Sequence, residues 1–256
     1  MIISPTHNFI FFKPLKCAGS SVEYSLRHAC GPDDLLSGGT EEERVIGYTH
    51  QHNAYMEDGE EFVKYHSHTW PEMLFERSAH DPSQWDEFYK ASVVRNPWDA
   101  CVSWYWWTIS NHPVENRWLA HEADDDRAVV QSKFEQFLNA PFVPQSFYPG
   151  GADLECTMLT YLAYANQNFV HPCIDDYLRF ETLDHDYAQL CKKLSLLHSP
   201  LQQLKSKHRE IRVHYSYYYT PAARIFVERA FPKIVDQFGY KFEDRYQEVS
   251  PNETPY

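Results

Sequence analysis

Asn8-Phe9-Ile10-Phe11-Phe12-Lys13 is an almost continuous apolar run, the pattern of a strand buried on both faces. Pro14 to Gly19 breaks it, Ser20-Ser21 open a helix reaching about Cys30, and Gly31-Pro32 stop that helix. Residues 31–61 are polar and rich in Gly, Asp and Glu, a surface excursion. Glu61 to His66 reads as a second short strand and Pro71 to Ser78 as a short helix. Phe88 to Val94 is a third apolar strand, followed at once by Arg95-Asn96-Pro97. Pro97 suits the first turn of a helix running from Trp98 to about Ile109. Residues 111–130 are loop-like and acidic at Asp124-Asp125-Asp126. Helices are predicted at 131–139 and 153–165, a strand at Asp176–Phe180, and a helix at Leu183–Leu196. A single long helix is predicted from Pro221 to Phe238. Strands separated by helices predict one α/β domain over 1–256, with a central parallel sheet flanked by helices in three layers. In such a sheet ligands bind beyond the C-terminal ends of the strands.

Composition narrows the partners. A chain of 256 residues with 43% hydrophobic and 23% charged residues buries a sizeable core and is not a disordered chain. The net charge of −13 argues against a protein that coats nucleic acid or an anionic membrane, and against a long polyanionic substrate. The six cysteines have neither zinc-site nor disulfide-framework spacing, so they read as reduced thiols. No stretch approaches the roughly 20 apolar residues that span a bilayer, and a cytoplasmic protein is expected. Aromatic residues reach 16%, mostly for packing, with some left to line a cleft for ring-bearing ligands.

Chemistry concentrates at two strand ends. Lys13-Pro14-Leu15-Lys16-Cys17-Ala18-Gly19-Ser20-Ser21 joins a buried strand to a helix. Gly19 lets backbone approach a ligand, the helix start aims N–H groups at an oxyanion, Ser20 and Ser21 add hydroxyls, and Lys16 adds charge. The lysine precedes the glycine, so this is not a Walker A loop. An ordinary strand–turn–helix junction fits it equally well. The second site is Arg95, where a strand ends, with Ser103 two helical turns further on. Arg95 can grip a phosphate with its fork, or it can pair with Asp99.

Together, Lys16-Cys17-Ala18-Gly19-Ser20-Ser21 and Arg95-Asn96-Pro97…Ser103 resemble the two nucleotide-binding signatures of the sulfotransferase superfamily, whose donor is 3′-phosphoadenosine-5′-phosphosulfate (PAPS). The likeness is closest to the branch of carbohydrate sulfotransferases and their bacterial relatives. Cys17 stands where that branch has threonine, and Pro14 lies one residue early. Arg179-Phe180-Glu181-Thr182-Leu183 and Phe238-Gly239-Tyr240-Lys241-Phe242 resemble two later family motifs, and His214 to Tyr219 the aromatic stretch before the last helix. The resemblance implies a P-loop-like fold in which residues 16–21 hold the 5′-phosphosulfate and Arg95 and Ser103 the 3′-phosphate. It leaves 31–60 and 111–150 as the loops that select the acceptor.

Sulfuryl transfer needs a base, a stabilised leaving oxygen and, given the modest charge of the group, no metal. Lys16 is the expected electrostatic stabiliser. Lys64-Tyr65-His66-Ser67-His68-Thr69-Trp70 resembles the family's histidine-bearing strand end, and alternation along a strand would put His66 and His68 on one face. His68 is the expected base, with His66 as its neighbour or substitute. The expected acceptor is a hydroxyl of a saccharide, or of a small metabolite, and the nucleotide product is adenosine 3′,5′-bisphosphate. A nucleotide kinase and a non-catalytic nucleotide-binding module are the competing readings. Trp104, Trp106 and Trp107 read mainly as core, with one bordering the cleft, and Asp124–Asp126 as a solvated loop. Arg179 and Glu181 form either a structural ion pair or part of the cleft.

Overall fold

The computed structural model describes residues 1–31, 33–37, 54–57, 60–63, 67–77, 85–112, 114–122, 125–142, 156–202, 204, 211 and 213–246. Five strands form one sheet: β1 (Ile2–Ser4), β2 (Phe9–Phe12), β3 (Leu35–Leu36), β6 (Tyr89–Val94) and β9 (Asp176–Arg179), in the order β3-β1-β2-β6-β9. A hairpin, β4 (Ala54–Glu57) with β5 (Glu60–Val63), stands apart from this sheet, as does the pair β7 (Pro141–Phe142) and β8 (Cys156–Thr157).

The sheet is mixed, which corrects the expectation of a parallel one. Strands β2, β6 and β9 are parallel, whereas β1 runs antiparallel to both β2 and β3. Only residues 5–8 separate β1 from β2. A link that short makes a hairpin, since a parallel pair needs a crossover of a dozen residues or more. The parallel part is the part that carries Lys16 to Ser21 and Arg95 at its ends.

Both faces of the sheet are covered, as the double-sided apolar run requires. Phe9, Phe11, Ala91, Val93 and Leu178 pack on Val22 and Leu26 of α1 (Gly19–Leu26) and on Tyr187 and Leu190 of α6 (Leu183–Lys193). On the opposite face Ile3, Ile10 and Phe12 meet Trp70, Leu74 of α2 (Pro71–Arg77), Phe169 and Ile174. A third apolar cluster joins α3 (Pro97–Asn111), α4 (Arg127–Asn139), α5 (Met158–Gln167), α7 (Pro221–Ala230) and α8 (Pro232–Phe238). Trp98, Trp104 and Trp106 lie buried in it, and Trp107 packs at its edge.

Several boundaries differ from the sequence expectation for identifiable reasons. The predicted helix 221–238 is two helices, because Pro232 cannot donate to Glu228 and opens a new helix at its own first position. Helix α4 starts at Arg127, not 131, because the Asp126 side chain accepts from Val129 N at 2.9 Å and caps it. Asp125 accepts from Lys133 Nζ at 2.6 Å, so these two acids are structural; Asp124 lies outside the described residues. The helix predicted at 153–165 begins at Met158, behind a reciprocal cap between Thr157 and Thr160. The strand predicted at Glu61–His66 is described only to Val63 and, among the described residues, pairs with β4. Among the described residues no helix is long and apolar enough to cross a membrane.

Candidate functional site

The loop between β2 and α1 turns on two non-glycine residues in the left-handed region, Lys16 (φ 60) and Ala18 (φ 59). Such a conformation costs about 1 kcal/mol or more per residue and needs external support. The support comes from three directions. Asn166 on α5 is buried and grips Leu15 from both sides: its Oδ1 accepts from Leu15 N at 2.9 Å and its Nδ2 donates to Leu15 O at 3.0 Å. Arg95 Nη1 donates to the Lys16 carbonyl at 2.7 Å. His68 Nδ1 lies 2.7 Å from the Lys13 carbonyl. The step from left-handed Ala18 into right-handed α1 is the backbone arrangement that gathers N–H groups into an anion-binding concavity. At the N-cap of α1, Ala18 makes no side-chain capping bond.

Gly19 is required by close approach. A Cβ there would stand 2.5 Å from Lys13 Cγ. Lys13 cannot yield easily, because its Nζ is paired at 2.5 Å with Glu23 Oε2, both side chains being almost wholly buried. The amino group of Met1 takes the other Glu23 oxygen. Burial by itself would raise the Glu23 carboxyl, but Lys13 and that amino group outweigh it and hold the acid below its usual range.

Arg95 follows the C-terminal end of β6 and lies against this loop. Its Nε and Nη2 both donate to Asp99 Oδ2, at 2.9 and 2.6 Å, and its guanidinium stacks 3.8 Å over the Phe180 ring. The Asp99 pairing that the sequence left as an alternative is therefore formed, and it coexists with the contact to the loop. Lys16 Nζ sits 5.2 Å from the centroid of the Trp107 ring on α3, so Lys16, Arg95 and α3 meet in one place. Ser103 is half-buried on the same helix, and Ser20 half-buried on α1.

Other candidates are drawn into the framework. Ser21 is buried, and its Oγ accepts from Leu204 N at 3.3 Å. Cys17 is buried, donates to Leu15 O, and has its thiol pushed up to about 12 by burial, with Arg95 and Lys16 pulling the other way. It is a neutral structural thiol. His66 lies outside the described residues. His68 is not on a strand, so alternation does not position it; it sits in the turn before α2, anchored to Lys13. Because a carbonyl only accepts, Nδ1 is the donor in that bond.

Sequence reasoning missed Asn166 and the task of Glu181. Glu181 Oε1 accepts from Asn96 N at 2.8 Å and its Oε2 from Tyr240 OH at 2.8 Å, while Arg179 Nη2 donates to Phe238 O at 2.9 Å. Arg179 and Glu181 each bond to other elements and tie the three motifs together. Nothing local marks Asn166, whose partner is 151 residues away. Family models, curated proteins and solved structures compared with this chain give no match. The arrangement joins a lysine, the start of a helix and a histidine around one strand-end loop.

Proposed function

We propose that this chain is a PAPS-dependent sulfotransferase of P-loop-like fold acting on a hydroxyl acceptor. The reading rests chiefly on one observation: the Lys16 loop and Arg95, the two motifs that resemble the family's signatures, are hydrogen-bonded to each other at the ends of neighbouring parallel strands. His68 is bonded to the same loop through Lys13 O. Gly19, bare of a side chain, and the start of α1, where Ala18 makes no side-chain capping bond, suit a phosphosulfate, whose transferable group is an SO3 unit. Lys16 counters the charge that grows on the leaving phosphate oxygen. His68 takes the acceptor proton at Nε2, its ring held by Lys13 O on the other nitrogen. Residues 16–20, with Arg95 and Ser103, are the proposed nucleotide contacts, and the acceptor is a saccharide or a small hydroxylated metabolite.

A second reading, a nucleotide-binding module without transfer, draws on the engagement of Arg95 by Asp99. One experiment separates the two. Purified protein is incubated with radiolabelled PAPS and a panel of glycans and small alcohols, alongside calorimetric titration with adenosine 3′,5′-bisphosphate. Transfer to any acceptor, lost by at least about a hundredfold in His68→Asn, whose amide can still donate to Lys13 O, with bisphosphate affinity kept, supports the enzyme. Binding without transfer supports the module. No binding rejects both.

A further inference from the structure

Asp99 has no task in the proposed transfer, yet its carboxylate touches the guanidinium assigned to the 3′-phosphate. We propose that Asp99 is an internal competitor for Arg95 that sets how tightly the site holds a 3′-phosphorylated nucleotide, and so how readily the product leaves. The proposal rests on the sulfotransferase reading. Four observations carry it.

The pair is largely withdrawn from water, with side-chain exposures of 10% and 16%. Asp99 is held independently of any ligand, in the first turn of α3, where the helix dipole favours an acid and the Asn96 side chain accepts from its N–H. Arg95 cannot swing away, because Phe180 covers one face and the Lys16 carbonyl takes Nη1. Three of the five guanidinium N–H donors are thereby engaged, two of them on one Asp99 oxygen.

A phosphate arriving at Arg95 therefore shares the cation with a fixed carboxylate. Two anions on one guanidinium lie within about 6 Å of each other, where repulsion at an effective dielectric of about 20 weakens binding roughly tenfold even after allowance for screening.

Asparagine removes the charge and keeps an oxygen for Arg95. A single Asp99 oxygen accepts both N–H groups, and the amide oxygen of Asp99→Asn can do the same, leaving Arg95 in place. Adenosine 3′,5′-bisphosphate and adenosine 5′-monophosphate are titrated into wild type and Asp99→Asn, with thermal melts as the folding control. The expected result is bisphosphate affinity higher by about tenfold in the variant, a gain that shrinks with salt, and no comparable gain for the monophosphate, which has nothing to offer Arg95. Should Asp99→Asn not melt cooperatively, Asp99→Ser, which also removes the charge, is carried through the same titrations. Wild-type binding that the variant leaves unchanged or weakens overturns the competitor role alone and makes Asp99 a positioning residue for Arg95. An equal gain for both nucleotides also overturns it. Absence of bisphosphate binding in every protein overturns the sulfotransferase reading and this inference with it.

Discussion

Gly19→Ala tests the fold and the site at one atom. The added methyl would stand 2.5 Å from Lys13 Cγ and 3.4 Å from its Cα, so something must move. The lysine tip is held by Glu23 in a buried pair. Pulling it free would cost about 3–5 kcal/mol, as for any buried pair broken from one side. Overpacking relieved by small backbone shifts costs about 1–3 kcal/mol, so the cheaper route is a shift of the loop itself. We expect a loss of about 2–3 kcal/mol. In a chain of this size each kcal/mol lowers the melting temperature by about 2–4 °C, so the variant should melt about 5–10 °C below wild type. Because the loop moves, affinity for adenosine 3′,5′-bisphosphate should fall with it. Gly239→Ala is the control: that glycine has φ +66 but nothing within 4 Å of the added methyl, so it carries about 1 kcal/mol of backbone strain and leaves binding alone. A Gly19→Ala protein melting within about 1 °C of wild type would refute the packing argument.

Two further substitutions probe the supports of the loop. Asn166→Ala removes both bonds to Leu15, strands a buried N–H and enlarges the small cavity lined by Pro14, Cys17, Val94 and Asn166. It should lower stability by about 2–4 kcal/mol in urea unfolding, and a change under about 0.5 kcal/mol would show that the clamp is dispensable. Glu23→Gln leaves Lys13 buried against a neutral amide and should cost about 3–5 kcal/mol at neutral pH. Its sign with pH follows from a carboxyl held below its usual range: the stabilisation is present above about pH 4.3 and is lost as pH falls through the lowered native value. The gap between wild type and variant should therefore be flat at higher pH and close in acid, and a gap still fully open at pH 3 would contradict the assignment.

How much of this was legible in the sequence depends on the range over which each signal acts. The buried strands 9–12 and 89–94 announced themselves by continuous apolar runs, and helix α3 by Pro97 and its periodic aromatics. Strand β1 was missed because Ile2-Ile3-Ser4 is too short to show a period, and without it the sheet could only be read as parallel. The split at Phe231–Pro232 was available, since proline inside a helical pattern marks a break, but the apolar periodicity on both sides hid it. The two anion motifs were readable because their spacing is local. That Arg95 would meet Asp99 was readable too, as an i,i+4 pair, whereas its bond to Lys16 O, across 79 residues, was not.

The same distinction bears on which parts of the motifs act on a ligand. Glu181, Arg179, Tyr240 and Asn96 bond to one another or to backbone, fastening β9, the start of α3 and the chain after α8 into one frame. That frame fixes Phe180, and Phe180 fixes the plane of Arg95. Two carboxylates, Asp99 and Glu181, lie close enough to Cys17 to oppose the pull of Arg95 and Lys16 on its thiol. Among the described residues these four charges cancel, so on the proposed function the grip on an anion falls to directed donors: the first-turn amides of α1 and the lysine. Directed donors discriminate by geometry where bulk charge does not, so on the proposed function a chain of net charge −13 would hold a small, highly charged nucleotide without attracting polyanions.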